Sequence, residues 1–506
     1  MSNGNSVVAA GHQLTAAAAA EILEDGGNAF DAALAAMAMT FVAEAVFASP
    51  GGGGFLMARR AGGDRCTLFD FFVETPRKRR QEGVEFFPIH ADFGPAKQEF
   101  HIGLGASATP GVVPGLFAVH EALCRLPMKR LVEPAVRAAK AGFPLSEFQA
   151  YLFTVIAPIL TASEEARRIF APAGKLMQAG ETFRNGQLAE CLEWLAEDGP
   201  RLFVDGDVGQ AIVAQSSALG GHLAFDDLQR YRVQLREPLY WMHCGARVAL
   251  NPPPAASGAL IAFGLAYLEA LVERGREIDP GTLREAMEAT NEARVTHGEG
   301  LAERLAGGAL LRELRAAQAH PPAYRGTTQI SVIDKDGNAA SVSLSNGEGD
   351  GYIVGDFGFM LNNMLGEEDL ASGALDAWRE GTRLSSMMAP TIILEPDGAV
   401  VAMGTGGSNR IRTAILQVAV NLLDRGMSLE EAVAAPRVHV EKCGTVSFEP
   451  GLPEQAEAEI MALGEKAHAW PALNLFFGGV HAARRHPNGS VEGAADPRRR
   501  GHAVTV

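Results

Sequence analysis

The stretch from Tyr324 to Gly351 holds the residues of this chain whose types and spacing most favour chemistry. It opens on Gly326, Thr327 and Thr328 and continues with alternating polar and apolar residues. A threonine hydroxyl is a weak nucleophile at neutral pH and needs a base beside it. A threonine at the first position of a chain carries that base itself, because its α-amine has a pKa of about 7.7–8.0 and is partly neutral near pH 7.

Thr327 is internal, so it gains a free α-amine only if the Gly326–Thr327 peptide bond breaks. Glycine has no side chain to block attack of the hydroxyl on the preceding carbonyl, and it tolerates a strained backbone. The strand that follows would hold the new N-terminus rigidly at the edge of a sheet. The pattern therefore suits a self-cleaving precursor, although a Thr-Thr pair taken alone is more typical of an ordinary β-branched strand start.

The elements that must position Thr327 follow from the periodicity of the chain. Residues 327–334 and 338–345 alternate around a Lys-Asp-Gly turn, which predicts a β-hairpin. A second hairpin is predicted over 389–407, and its glycine-rich end leads into an amphipathic helix over 408–426. The loop at 51–54 has four glycines without the lysine of a phosphate-binding loop, so it predicts close approach of two backbones.

The front of the chain is mostly helical by the same criteria. An Ala-rich helix is predicted over 13–25, and a second runs to about Val46 with Asn28 or Asp31 as its cap. Further amphipathic helices are predicted between 110 and 320, interrupted by two short strands and a proline-rich turn within 231–258. Helices in front and hairpins behind indicate a layered α+β fold.

Composition and charge narrow the function classes. The chain has 506 residues, of which 47% are hydrophobic and 21% charged, and its net charge of −16 argues against nucleic-acid or anionic-membrane partners. The basic runs at 77–80 and 498–500 are predicted to be solvated surface. Five widely spaced cysteines indicate neither a disulfide framework nor a zinc site. We expect a cytoplasmic protein, because the N-terminus has no signal-peptide pattern and no apolar run is long enough for a membrane span.

Seven segments together resemble the γ-glutamyltransferase (γ-glutamyl transpeptidase) family over nearly the whole chain. They are GGNAFDAA with GGGGF (26–55), ATPGVVPGL (108–116), TTQISVIDKDGNAASVSLS (327–345), LNNMLGEEDL (361–370), RLSSMMAPTIIL (383–394), GTGGSNRIRTAILQ (404–417) and GAADPRRRG (493–501). Their number, order and spacing identify the chain as a member. The resemblance implies the four-layer αββα sandwich of the N-terminal nucleophile hydrolases, with a large fragment 1–326 and a small fragment 327–506 that form one unit.

The resemblance also implies catalytic roles. Thr327 matches the nucleophile and new N-terminus, and Thr328 matches the second threonine of the motif, with a packed strand residue as its alternative role. Ser345 stands where the family has a threonine that steadies the nucleophile. Gly406 and Gly407 match the glycine pair of the oxyanion hole, and physical reasoning agrees, because glycines before a helix can aim amides at a developing negative charge.

The predicted carboxylate seat combines serines with an arginine. Ser385 and Ser386 match the serine pair that helps hold the α-carboxylate of a glutamyl group. The arginine falls in a segment of uncertain alignment, where Arg80 is the first choice and Arg79 or Arg77 the next. A planar guanidinium suits a carboxylate.

The predicted amine pocket departs from the family. An asparagine position holds Gly347, with Asn346 one residue earlier, and a glutamine position holds Met364, which cannot replace the lost amide contact. Glu367 falls on the aspartate position, and Gln329 replaces a histidine. The carboxylate half of the substrate pocket is therefore expected to be retained and the amine half to be rebuilt.

These observations favour a γ-glutamyltransferase-like amidase that processes itself at Gly326–Thr327. It would cleave γ-glutamyl amides such as glutathione through an acyl-enzyme on Thr327 and pass the acyl group to water or an amine. An acylase for another acidic acyl group, of the glutaryl or oxamate type, is the first alternative, and an inactive binding protein on the same scaffold is the second. We expect a small-molecule substrate, no cofactor or metal, no nucleic-acid or membrane partner, and a heterodimer of the two fragments that leaves further dimerisation open.

Overall fold

The structure is a computed structural model, which describes residues 5–92, 97–297, 326–367 and 378–506. In these ranges the strands are β1 (Val7–Ala10), β2 (Gly53–Arg59), β3 (Cys66–Phe71), β4 (Phe87–Asp92), β5 (Lys97–Ile102), β6 (Phe143–Pro144), β7 (Thr182–Phe183), β8 (Gln234–Arg236), β9 (Leu239–His243), β10 (Ala246–Leu250), β11 (Thr328–Ile333), β12 (Ala339–Ser345), β13 (Thr391–Leu394), β14 (Val400–Gly406), β15 (Val438–Val440), β16 (Val446–Phe448), β17 (Ala467–Ala469), β18 (Gly479–Arg485), β19 (Val491–Ala495) and β20 (His502–Thr505).

The helices of the described ranges are α1 (Gln13–Glu24), α2 (Ala29–Ala43), α3 (Val112–Leu123), α4 (Met128–Ala141), α5 (Glu147–Val155), α6 (Ala157–Leu160), α7 (Glu164–Phe170), α8 (Gly186–Asp198), α9 (Arg201–Val204), α10 (Asp207–Ala218), α11 (Phe225–Arg230), α12 (Ser257–Val272), α13 (Pro280–His297), α14 (Arg410–Leu423), α15 (Leu429–Ala434) and α16 (Glu454–Met461). None of these helices combines the length and the apolar character that crossing a bilayer requires.

Two antiparallel sheets form the centre of the molecule. The seven-stranded sheet has the order β20-β1-β11-β12-β2-β3-β8, and the six-stranded sheet has the order β19-β18-β14-β13-β10-β9. Both predicted hairpins are present, as β11–β12 and β13–β14, and each lies inside a different sheet. The strands predicted in 231–258 divide between the two sheets, because β8 joins the first and β9 and β10 join the second.

The two sheets pack face to face with helices outside both. Strands β11 and β12 contact β14 across the interface, α1 and α2 cover the seven-stranded sheet, and α12 and α14 cover the six-stranded sheet. One apolar core lies between α1, α2 and the first sheet, and a second fills the space between the sheets and beneath α12 and α14. This is the expected αββα arrangement of layers.

The second helix shows how the sequence sets this packing. The side chain of Asn28 accepts hydrogen bonds from the amides of Phe30 and Asp31, and Asp31 accepts one from the Asn28 amide. This capping box fixes the start of α2, as the sequence predicted. Every residue of α2 is buried, because its alanines allow both α1 and the sheet to approach closely.

The glycine-rich loop before β2 brings backbones together, as expected. A Cβ atom at Gly52 would lie 2.5 Å from the Ser345 carbonyl oxygen, and one at Gly54 would lie 2.6 Å from that of Ser343. No side chain fits at these positions without displacing the neighbouring strand. The loop therefore holds β2 tightly against the end of β12.

Candidate active site

Strand register places Thr327 in the middle of the first sheet. Thr328 pairs with Leu344 at the start of β11, so Thr327 lies beside Ser345, and Ser345 in turn pairs with Gly53 of β2. Thr327 is 3% exposed. Because β11 is bonded on one side to β1 and on the other to β12, the position of Thr327 is fixed from both sides.

Two side chains, those of Ser345 and Glu348, hydrogen-bond to the backbone of Gly326, the residue before the threonine. The Ser345 hydroxyl donates to the Gly326 carbonyl oxygen at 2.6 Å, and the Gly347 amide donates to that hydroxyl at 3.1 Å. The Gly326 amide donates to Glu348 Oε1 at 3.0 Å. A donor on a carbonyl oxygen stabilises the negative charge that develops when its carbon is attacked. Glu348 was not predicted, and only its position three residues after Ser345 pointed to it.

Arg499 hydrogen-bonds to the carbonyl group of Thr327, on the side of the residue away from Gly326. Its Nη1 donates to the Thr327 carbonyl oxygen at 2.8 Å, and its guanidinium lies 5.3 Å from the centre of the Phe47 ring. Burial lowers the pKa of Arg499 to about 10, so the side chain stays a cation at neutral pH.

The prediction of a solvated basic run at 498–500 is wrong for its first two residues, because Arg498 and Arg499 are each only 5% exposed. Arg498 is buried in ion pairs with Glu449 and Asp496. A buried arginine needs such partners, and their distance along the chain hid them from a reading of the local sequence.

Thr328 points into the layer of α1 and α2. Its hydroxyl donates to Glu44, which also accepts a hydrogen bond of 2.6 Å from the Thr15 hydroxyl. Burial raises the pKa of the Glu44 carboxyl. The alternative of a packed strand residue describes this environment, and a catalytic role for Thr328 stays a prediction. Glu44 was visible in the sequence as the charge that interrupts the apolar run of α2.

The glycine pair lies against the nucleophile. A Cβ atom at Gly406 would be 2.1 Å from the Thr327 carbonyl oxygen, so only glycine fits there. Gly407 has a φ of 128°, in the region that favours glycine, and helix α14 starts three residues later at Arg410. Within the described residues the Gly407 amide donates no hydrogen bond. This amide is therefore free of protein acceptors in these ranges, and its role in an oxyanion hole stays a prediction.

The predicted amine pocket lies just beyond Ser345. A Cβ atom at Gly347 would be 2.6 Å from Glu367 Oε1. The Asn346 amide nitrogen donates to the Leu361 carbonyl at 3.3 Å, and its buried oxygen has no hydrogen-bond partner among the described residues. Met364 is 1% exposed and packs in the core. The structure thus brings Asn346 and Glu367 to one turn and directs Met364 into the apolar interior.

Gln329, where the family has a histidine, lies between the sheets. Its amide nitrogen donates to the Ser331 and Ser341 hydroxyls at 3.1 and 2.9 Å, and its oxygen accepts from the Ser343 hydroxyl at 2.6 Å. A Cβ atom at Gly404 would be 2.2 Å from that oxygen. Gln329 therefore fixes the spacing of β11 and β14 beneath the glycine pair.

The serines of the predicted carboxylate seat bond to backbone. The Ser385 hydroxyl donates to the Pro254 carbonyl at 2.8 Å, and the Ser386 hydroxyl accepts from the Met388 amide at 3.1 Å. These contacts tie the serines to the loop before α12 and to their own turn.

The candidate arginines of that seat bind carbonyls of neighbouring loops. Arg80 donates to Glu82 at 2.9 Å and to Ser217 at 3.1 Å, and Arg77 donates to Arg230 at 3.3 Å. The guanidinium of Arg79 lies 4.4 Å from the centre of the Trp378 ring, and Arg79 donates to the Trp378 carbonyl. The assignment of a carboxylate ligand among these arginines stays a prediction.

A pocket lies beside the scissile peptide. It is lined by Gly326, Gly407, Glu348, Arg410 and Arg499, together with the apolar side chains of Val46, Phe47, Leu152, Val155, Ile156, Leu475 and Phe476. The pocket therefore brings Gly326 and Gly407 together with an apolar wall and with the charged side chains of Glu348, Arg410 and Arg499.

One group of side chains in the described ranges has the composition of a metal site. The ligand atoms of His243, Cys244 and Asp424 lie within 4.8 Å of one another, and His243 Nε2 is 2.8 Å from Asp424 Oδ2. His243 ends β9, the edge strand of the six-stranded sheet, so the group lies outside the pocket beside Thr327. The chemistry of the threonine site does not involve it.

Comparison of the sequence with known proteins finds one family model and relatives that cover nearly the whole chain. The family model described as Gamma-glutamyltranspeptidase matches residues 15–506. The glutathione hydrolase proenzyme of Escherichia coli strain K12 is 28% identical, over 94% of this chain and 88% of the relative. The Acylase ACY 1 proenzyme of Pseudomonas sp. strain SE83 is 30% identical, over 100% of this chain and 94% of the relative.

Comparison with solved structures agrees with the family match. The crystal structure of cephalosporin acylase from Bacillus halodurans superposes with a TM-score of 0.82 at 24% identity, over 99% of this chain and 96% of the other. At that identity the likeness shows the N-terminal nucleophile hydrolase fold alone. The family match, with Gly406 against Thr327, shows an N-terminal nucleophile enzyme of the hydrolase and transferase type, and the chain belongs to the gamma-glutamyltranspeptidase family.

Proposed function

We propose that the chain cleaves its own Gly326–Thr327 bond and then uses the new N-terminal threonine to hydrolyse or transfer the acyl group of an acidic amide. The main support for this proposal is the hydrogen bond of 2.6 Å that the Ser345 hydroxyl donates to the Gly326 carbonyl oxygen. On the other side of the same peptide, Gly406 contacts Thr327. The proenzyme names of the relatives support processing.

Maturation proceeds in two steps. The Thr327 hydroxyl oxygen attacks the Gly326 carbonyl carbon, the C–N bond breaks, and an ester joins Gly326 to the threonine side chain. Ser345 stabilises the oxyanion of this step, and water then hydrolyses the ester to leave a carboxylate on Gly326 and a free α-amine on Thr327. The products are fragments 1–326 and 327–506, which stay together because β11 and β12 of the small fragment pair with β1 and β2 of the large one.

Catalysis repeats this chemistry on a substrate. The α-amine of Thr327 takes the hydroxyl proton as the oxygen attacks the amide carbonyl, and the Gly407 amide stabilises the oxyanion. The proton passes to the leaving amine, and the acyl group stays on Thr327 as an ester. Water or an acceptor amine then attacks the ester and frees the threonine.

The acyl group of first choice is γ-glutamyl. Glu367 lies beside Gly347 in the turn that follows Ser345, where an anionic side chain can pair with the ammonium group of a glutamyl donor. The relative from Escherichia coli is named a glutathione hydrolase, which supports this choice.

A second candidate is an acidic acyl group without the α-amine, such as glutaryl. Met364 is packed in the core and cannot hydrogen-bond an ammonium group, and Gly347 has no side chain. The relative from Pseudomonas is named an acylase, which supports this alternative. An inactive binding protein is disfavoured, because Thr327, Ser345 and Gly407 are all present around one peptide bond.

The test of maturation is the fate of the purified chain. It is expected to split unaided into fragments of 326 and 180 residues, with Thr-Thr-Gln-Ile at the start of the smaller one. Thr327→Ala is expected to remain a single chain of about 53.5 kDa. Thr328→Val, which keeps the branched shape, is the matched control and is expected to split. A small fragment with another N-terminus would disprove Thr327 as the nucleophile.

A further inference from the structure

The pocket beside Gly326 is placed to receive the acyl part of a substrate. During maturation the Gly326 carbonyl is itself the acyl group that Thr327 attacks, and Gly326 lines this pocket together with Gly407. A substrate carbonyl attacked by the same hydroxyl occupies the same position. Its acyl chain therefore extends along the wall that Phe47 and Leu152 form.

Two neighbouring arginines differ in how their charges are compensated. Arg498 donates from Nε to Glu449 Oε1 at 2.7 Å, and from Nη1 to Asp496 Oδ1 at 3.2 Å. Asp496 also accepts a hydrogen bond of 2.6 Å from Arg437. The carboxylates of this cluster are thus already engaged by Arg498 and Arg437.

Arg499 makes no ion pair of this kind. Among the described residues, no carboxylate oxygen lies within 4 Å of its guanidinium nitrogens, so Asp496 and Glu44 act on its charge only from a greater distance. Its Nη1 donates to the Thr327 carbonyl oxygen. Its buried Nε has no hydrogen-bond partner in the same ranges. A buried cation with unused donors is costly unless an anion joins it.

We propose that Arg499 seats the carboxylate of the acyl donor in the pocket beside Gly326. The methylene groups of a short dicarboxylic monoacyl chain then lie against the apolar wall, and the guanidinium binds the far carboxylate while one of its N–H groups holds Thr327. Arg499 is thereby a specificity residue for acidic acyl groups, in the role that the sequence predicted for an arginine at 77–80. This inference rests on the proposed function, because it assigns the substrate-binding cation of the same threonine site.

The test compares two anilides that differ only at the far end of the acyl chain. Glutaryl-p-nitroanilide ends in a carboxylate, and valeryl-p-nitroanilide carries a methyl group in its place. In the mature wild-type protein the ratio of kcat/KM, glutaryl over valeryl, is expected to be roughly 10², the size expected for a desolvated charged pair. In Arg499→Gln the ratio is expected to fall below about ten, and Arg499→Lys is expected to recover part of it.

The ratio isolates the carboxylate contact from the contact with Thr327. Any loss that Arg499→Gln causes at the nucleophile lowers both rates equally and cancels in the ratio. Arg500→Gln, which removes the exposed arginine next in the chain, is the matched control and is expected to keep the wild-type ratio. Arg80→Gln tests the competing carboxylate seat. A wild-type ratio near one, an unchanged ratio in Arg499→Gln, or a ratio lost in Arg80→Gln would each overturn the assignment. Failure of the mature wild-type protein to cleave any acyl anilide would instead contradict the proposed function.

A second measurement applies if Arg499→Gln does not mature. Mature wild-type protein is treated with the arginine reagent phenylglyoxal in the presence of glutaramate, which has an amide at one end and a carboxylate at the other, or of valeramide, which lacks the carboxylate. Glutaramate is expected to slow inactivation at least about tenfold more than valeramide, and mass spectrometry is expected to show that Arg499 is the arginine protected from modification. Equal protection by the two amides, or protection confined to another arginine, would overturn the proposal.

Discussion

Two regions of the molecule carry polar residues that the sequence singled out, and they differ in what those residues touch. At the Thr327 end of the seven-stranded sheet, Ser345 and Arg499 bond directly to the carbonyls of Gly326 and Thr327. In the loop segment 382–386, Ser385 bonds to a carbonyl of the loop before α12. The first region bonds to the backbone of the proposed cleavage site, whereas the second bonds to the loops around it.

The difference follows from how each region is positioned. Strand register fixes Thr327, Ser345 and Gly53 side by side, so a motif on paired strands predicts contacts between its residues. Segment 382–386 is attached to the residues at the end of β3 by side-chain contacts as well as by backbone bonds: Arg383 pairs with Asp70 and Glu74, and the Leu384 amide donates to the Val73 carbonyl at 3.1 Å. Because this segment is a loop and not a paired strand, its sequence does not predict which partners its side chains meet.

The largest expected effect in the threonine region is at Gly407. Gly407→Ala places a side chain at a φ of 128°, with Cβ 3.1 Å from the Gly478 Cα, so the loop must turn and the amide must lose its aim. We expect kcat to fall roughly 10²–10³-fold, with KM less affected. Steady-state kinetics on γ-glutamyl-p-nitroanilide measure the change.

The control for this loss is Gly426→Ala. Gly426 also has a positive φ, of 63°, but nothing lies within 4 Å of a Cβ there. The control is expected to cost roughly 1–2 kcal/mol of stability, as for an L-residue in the left-handed region, and to keep kcat. A folded, processed Gly407→Ala protein with normal kcat would assign the oxyanion to another donor.

A smaller effect, on the rate of maturation, is expected when Ser345 in the threonine region is replaced. Ser345→Ala takes away the donor to the Gly326 carbonyl, and maturation is expected to slow by about 10- to 100-fold, as for a lost hydrogen bond to a developing charge. Ser345→Thr keeps the hydroxyl and is expected to mature normally. The appearance of the 180-residue fragment on a denaturing gel gives the rate.

Ser385→Ala serves as the counterpart from the loop segment. Its hydroxyl bonds to Pro254 rather than to the scissile peptide, so maturation is expected to stay within about twofold of wild type. Equal slowing in Ser345→Ala and Ser385→Ala would remove the functional contrast between the two regions.

The smallest expected effect concerns the α-amine of the substrate. γ-Glutamyl-p-nitroanilide and glutaryl-p-nitroanilide differ only in that amine, and we expect their kcat/KM values to agree within about tenfold, because Met364 offers the amine no contact. Glu367→Gln is expected to lower the γ-glutamyl rate alone. A preference for the γ-glutamyl compound above about a thousandfold would show that Glu367 and its neighbours form a complete amine site.

The sequence predicted the layered fold and the close contacts around Thr327 well, because both depend on local patterns. The alternation around Lys335–Gly337 located the hairpin, and the glycines at 51–54 and 406–407 marked real close approaches. The sequence failed where function depends on distant partners. Arg499 belonged to a basic run that suggested solvent, and its burial depends on the strands and loops around Thr327, from which it is separated by 172 positions.

The two ends of the described chain have a practical consequence. The Ser6 amide donates to the Val506 carbonyl at 3.0 Å, and the Val506 amide donates to Ser6 at 2.9 Å, so a short linker can close the chain there. A circularly permuted gene can then begin at Thr327 and end at Gly326 without changing a strand of either sheet. Once the initiator methionine has been removed, such a protein has its nucleophile at a free N-terminus without self-cleavage, so catalysis can be measured in variants that would never have matured.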